Sequence, residues 1–270
     1  MPSADPFFGA RKKIERAETH IANLEATLVA FNKTEPYGFF TEDGPEPGQT
    51  LFKIRIKNEI PIEAILLIGE SLQSLKSSLD YTVHELVLAN GGTITVRTGF
   101  PIYKGSSPTE YEAMRKPKVK GMRQDAIDYI DGLKPYQGGN DPIWRINELN
   151  NREKHRLLMT AGIGYRHGQA DIGPPPEIAK AFSADVLKKL GGICLTLRPT
   201  DAVFPLEDGA VFFIFQDHTP PYTKPHMNFK FTFGVAFNEP GIVQGEPVIE
   251  LLHQSVGLVK GIVSDLSKYL

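Results

Sequence analysis

Three runs of apolar residues spaced three and four apart constrain this chain more than any other feature. The first passes through Ile14, Ala17, Ile21, Leu24, Leu28 and Phe31. The second passes through Ile65, Ile68, Leu72, Leu75, Leu79 and Leu86, with Thr82 in one apolar slot. The third passes through Ile249, Leu252, Val256, Val259, Val263 and Leu266. Such spacing puts each set on one stripe of a helix. The helices would run to roughly 20–28 residues, long against the ~11–12 that is typical. Long helices with narrow seams pack side by side, so a bundle or a long antiparallel pair is expected. Asn90-Gly91-Gly92 supplies a stop for the second helix, because glycine tolerates the left-handed conformation of a helix end.

Elsewhere the period changes to that of a strand. Leu51 to Lys57 alternates apolar and basic residues, and Asn228 to Phe233 alternates again. Val211 to Phe215 is a continuous apolar run, which reads as a covered central strand, and Leu157 to Tyr165 and Ile193 to Leu197 read as strands too. Pro220-Pro221 and Pro225 make the link between two of these runs a loop. Strands not separated one by one by helices favour an antiparallel sheet. The expected class is α+β, with long antiparallel helices packed on that sheet. A single domain over 1–270 is expected: helix-rich over 1–160, strand-rich over 161–240, with a C-terminal helix over 247–268. Gly173-Pro174-Pro175-Pro176 is the best hinge candidate, and the charged stretch from Gly105 to Lys120 reads as a surface loop.

Charge narrows the function classes. Lys+Arg total 30 and Asp+Glu 32 over 270 residues, so no global field draws nucleic acid or an acidic membrane, and anion binding needs a local patch. No apolar stretch approaches the ~20 residues that cross a bilayer, and the basic first twenty residues lack a secretory core. The expectation is a cytoplasmic protein without membrane contact. The one cysteine, Cys194, lies in an apolar run and reads as a small buried hydrophobe.

The local patch is the stretch from Asp141 to Arg156. Asp141 reads as an N-cap with Pro142 at the first helical position. A helix from there to about Leu158 places Glu148 and Arg152, Asn151 and His155, and Arg152 and Arg156 four residues apart. His155 among cations would stay neutral near pH 7 and serve as a base. Lys154, Arg156 and Arg145 would hold an anion, arginine through its bidentate fork. The plainer account has basic residues offsetting the dipole of the last helical turn, with Glu148–Arg152 an ordinary surface pair. On the second long helix Lys76, Asp80 and His84 follow at intervals of four, and Asp80 could orient a histidine from a neighbouring helix. Contact between Asp80 and His155 is the sharpest expectation, giving His155, Arg152 and Asp80 as the candidate catalytic set. Asp217, His218 and His226 lack a standard ligand spacing, so neither metal nor cofactor is expected. The phenylalanines Phe229, Phe231 and Phe233 could stack on bases, but on one strand face they are foremost a core signature.

The run from Ile68 to Tyr81 resembles a segment of a family of uncharacterised bacterial proteins, a helix reading roughly G-[ED]-x-x-x-x-L-[RK]-x-x-L-D-[HY]. Asn90-Gly91, Phe100-Pro101-Ile102, Leu133-Lys134-Pro135-Tyr136 and Lys154-His155-Arg156 come after it in that family's order, so the likeness covers about residues 10 to 160. It implies no activity. A more distant likeness is to the HEPN superfamily, helical proteins many of which cleave RNA without metal, through paired long helices and a later Arg/His helix. Their motif sets four to six residues between arginine and histidine. Here two separate Arg152 from His155, and nine separate Arg145 from it. Two functions are therefore expected as alternatives. One is an interaction protein, self-associating through its long helices. The other is a phosphodiester-acting enzyme with RNA or another anionic ligand, using His155.

Overall fold

The computed structural model describes residues 5–155, 160–173, 193–197, 204–216 and 226–270, and within these it leaves out the side chains of 153–155, 165, 167–173, 193–197 and 226–228. The architecture is α+β, as the periodicities imply, with helices and antiparallel strands. The chain forms two compact units, both discontinuous: residues 1–31, 60–161 and 237–270 make one, and 32–59 with 162–236 the other.

The first unit is helical. Its elements are α1 (Phe8–Asn32), α2 (Ile62–Ala89), α3 (Pro108–Lys118), α4 (Gln124–Gly132), α5 (Asp141–His155) and α6 (Val248–Leu266). The stripes of α1, α2 and α6 are buried almost throughout, and α2 packs against both α6 and α5. Serine hydroxyls let the helices close up: Ser78 donates to the Ala10 carbonyl at 2.9 Å, tying α2 to α1. Between the same helices, buried His20 sets Nδ1 at 3.0 Å from Glu70, while its Nε2 accepts from Arg16 Nε at 2.9 Å. Burial lowers the pKa of His20, Glu70 opposes this, and Arg16 adds to the lowering. Helix α2 stops where expected, with Asn90 as its cap residue and Gly91 at φ +73°.

The stretch from Gly105 to Lys120 corrects its reading as a loop, because it contains α3. Ser107 caps that helix by accepting from the Glu110 amide, and Pro108 occupies the first turn, where its missing N–H costs nothing. Its one buried side chain, Tyr111, donates to Asp131 of α4 at 2.8 Å, and Arg115 pairs with the same carboxylate at 3.1 Å. Burial and that hydrogen bond push the Tyr111 phenol far above its ordinary range.

The second unit holds most of the strand residues, while those from 237 onward belong to the first. β1 (Tyr37–Asp43), β2 (Gln49–Ile56) and β5 (Val211–Gln216) form an antiparallel sheet in that order. Among the described strands β5 is therefore an edge of this sheet and not a central strand, and its Ile214 is 53% exposed. β3 (Ala161–Gly173) lies between β4 (Ile193–Leu197) and β6 (His226–Glu239) in a second sheet. Phe229, Phe231 and Phe233 pack into an aromatic cluster with Phe52 and Phe212. The closest centroids are 4.7 Å apart, for Phe52–Phe229 and Phe212–Phe231, in edge-on geometry. Phe52 and Phe212 are buried, and the three β6 rings are half-buried against them. After β6 the chain turns through Gly241 at φ +82° into β7 (Val243–Pro247), which leads into α6 in the helical unit.

A candidate anion-binding cleft on the helical unit

Helix periodicity builds one concave site within the first unit. Lys76 and Asp80 stand four apart on α2, Met114 and Lys118 four apart on α3, and Asn147, Asn150 and Asn151 three and four apart on α5. Each set therefore shares a face of its helix. With Ile102, Tyr103 and Lys104 from the segment before α3, they line an open cleft of about 420 Å³. That volume lies within the range of roughly 300–1,000 Å³ found for small-molecule sites.

Main-chain bonds fix the walls. Trp144 on α5 donates its indole N–H to the Lys104 carbonyl at 2.9 Å, and the Tyr103 amide donates to Pro135 at 2.9 Å. The Tyr103 hydroxyl donates to Glu110, which raises its pKa. Gly99 donates to the Lys118 carbonyl at 3.2 Å. A Cβ on Gly99 would meet Asp80 Oδ1 at 2.8 Å, so the chain passes closer to that carboxylate than a side chain allows. Asp80 Oδ1 accepts from Lys76 Nζ at 2.6 Å and from the Phe100 amide at 2.8 Å.

Three lysines and one aspartate leave the cleft a formal excess of two positive charges. Lys76 is committed to Asp80. Among the described residues Lys104 and Lys118 have no carboxylate partner. Asn150 is 1% exposed, and among the described residues its Oδ1 has no hydrogen-bond partner, although buried polar atoms are normally paired.

The residues singled out from sequence meet different fates. Asp80 lines this cleft beside α5. His155 ends α5, but its side chain and that of Lys154 lie outside the described residues, as does Arg156 entirely. Arg152 donates to Glu239 at 2.6 Å and to the Pro240 carbonyl at 2.8 Å, so the expected pair with Glu148 is replaced. The buried carboxylate at the start of the turn to β7 takes the arginine, and half-buried Glu148 on the same helix accepts from Asn147 instead, at 2.9 Å. Arg145 pairs with Glu246 at 2.9 Å. His84 bonds the Thr98 carbonyl at 3.1 Å instead of Asp80, which already has two donors. The cap of α5 is Asn140, whose Oδ1 accepts from the Ile143 amide at 3.2 Å. Asp141 instead turns back to accept from Gly138 at 2.7 Å. Asp217, His218 and the prolines from 174 to 176 lie outside the described residues, as do the side chains of His226 and Cys194. Among the described residues no group of three or more His, Cys, Asp or Glu could hold a metal ion, and no helix is long and apolar enough to cross a membrane.

The sequence reading missed Lys104, Lys118, Asn147 and Asn150. One signal was present: three asparagines within five residues of a helix interior are poor helix formers, and something other than helix propensity holds them there.

Comparison with protein-family models, with curated proteins and with solved structures finds no match.

Proposed function

We propose that this is a cytoplasmic binding protein whose cleft between α2, α3 and α5 receives a small anionic ligand. The observation that carries the reading is the convergence of Lys104 and Lys118, without carboxylate partners among the described residues, on the cleft that Asp80 and Asn150 line. A local excess of positive charge in one recess of a chain of near-balanced charge favours a small ligand over an extended polyanion. Self-association through the long helices gains no comparable support, because their apolar seams face other elements of the same unit.

Sulfate is the direct probe, titrated into the full chain at low ionic strength and followed by NMR shifts. Changing Lys104 and Lys118 together to alanine should weaken binding by at least about tenfold, the equivalent of ~1.4 kcal/mol. Shifts that miss the cleft, or affinity unchanged in the double variant, would overturn the reading.

A second reading is cleavage of a phosphodiester with His155 as acid-base. Its support is that α5, which supplies the amide wall of the cleft, ends at His155, four residues beyond Asn151. It expects metal-independent cleavage of RNA by the wild type and a loss of about 10²–10⁴-fold in His155→Ala, the usual weight of a general acid-base. Equal rates in both proteins, or no cleavage by either, would remove it.

A further inference from the structure

We infer that the loop 90–99, which follows α2, docks the protein onto an anionic lipid surface. The inference is independent of the cleft and of what fills it.

The turn Thr95-Val96-Arg97-Thr98 is closed by its own threonines. The Thr98 amide donates to the Thr95 carbonyl at 3.0 Å, the Thr98 hydroxyl accepts from the Thr95 amide at 2.9 Å, and the Thr95 hydroxyl accepts from the Arg97 amide at 3.2 Å. Val96 stands in the middle of this turn and is fully exposed, with Ile94 38% and Leu88 50% exposed before it. Singly exposed apolar residues are ordinary. Here three hydrogen bonds fix one of them in water, with two more nearby in the chain.

The base of the loop lies on a basic segment. Asn90 donates its side-chain N–H to the Gly121 carbonyl at 2.9 Å, and the Gly99 amide donates to the Lys118 carbonyl at 3.2 Å. Residues 88–99 and 115–123 carry Arg97, Arg115, Lys116, Lys118, Lys120 and Arg123, and no aspartate or glutamate. Arg115, Lys116 and Arg123 pair with Asp131, Glu112 and Asp125, and Lys118 lines the cleft. Arg97 and Lys120 are exposed without a carboxylate partner among the described residues, and Lys120 lies between the two tethered carbonyls.

Apolar side chains beside free cations match a surface where acyl chains begin beneath negative headgroups. Stable contact there takes both signals, because either alone holds weakly. A second copy is disfavoured, since a two-fold contact through this patch brings like charges together. So is RNA, because neither segment holds an aromatic ring on which a base could stack.

Co-sedimentation of the full chain at low ionic strength tests the inference, with vesicles of phosphatidylcholine alone or with one third phosphatidylglycerol. The mixed vesicles should be bound at least about tenfold more tightly. Changing Arg97 and Lys120 together to glutamine should weaken that binding at least about tenfold, each charge near the surface being worth about fivefold. Ile94→Ser with Val96→Ser should weaken it about fivefold or more. Leu66→Ser is the control and should change nothing: it is 44% exposed on α2, roughly 33 Å along the helix from Leu88. Every substituted side chain is exposed, and circular dichroism checks that each variant is folded. No binding to the mixed vesicles, equal binding to both kinds, or a loop pair that loses no more than Leu66→Ser overturns the inference. Self-association without lipid that the loop pair abolishes, or displacement of the vesicles by a single-stranded RNA oligonucleotide, overturns it too.

Discussion

Leu75→Ala should destabilise the protein by about 3–5 kcal/mol, most of the margin of an ordinary domain. Leu75 is 0% exposed, one of a row with Leu72 and Leu79 on the face of α2 that packs into the helical unit. Removing three carbons there loses their transfer from water and leaves a cavity the surrounding helices fill only in part. Urea denaturation should show a lower midpoint at unchanged slope. Leu66 on the same helix is the control: it is 44% exposed, and its alanine variant should change stability by less than about 0.5 kcal/mol. Equal effects at the two positions would mean that the α2 stripe is not the seam of the unit.

Glu239→Ala should cost roughly 3 kcal/mol, the lower end of the range for removing one partner of a buried ion pair. Glu239 is 3% exposed and accepts from Arg152, from the Thr160 amide at 2.8 Å and from the Thr160 hydroxyl at 2.9 Å. Burial taken alone would raise its pKa and is the largest single influence. The hydrogen bonds from Thr160 and Arg152, with the arginine charge, together outweigh it and hold the carboxyl below its ordinary 4.5. A depressed native pKa means that the unfolded chain binds the proton first. The stabilisation is therefore whole above about pH 4.5 and is lost as pH falls through the lower native value. Glu239→Gln lacks this titration, so the gap between wild-type and variant urea midpoints should close as the pH is lowered from about 5 to about 3. A gap of constant size over that interval would show that Glu239 is not held ionised by its neighbours.

The long helices were legible because a buried stripe leaves a strict period in sequence, and Ile14 to Phe31 kept it. Helix α3 was not, since only Tyr111 is buried and most of the rest is charged or polar, leaving the Ser107-Pro108-x-Glu110 cap as the main mark. β1 escaped for a similar reason: its seven residues are half-buried or exposed in no regular alternation, without one buried position. Asp80 could be singled out because Lys76 lies one turn away on the same helix. Lys104 and Lys118 could not, because they meet Asp80 only through the packing of α3 and its preceding segment, which no local spacing records.

The order of the elements along the chain has a consequence for synthesis on the ribosome. Helix α2 is buried in part by α6, yet the β1–β2 hairpin precedes α2 and the strands β3 to β6 intervene before α6. A nascent chain must therefore carry the greasy face of α2 for more than 150 residues before its lid is translated. At about 5–20 residues per second that wait lasts on the order of ten seconds or more, an interval in which holdase chaperones would find a target.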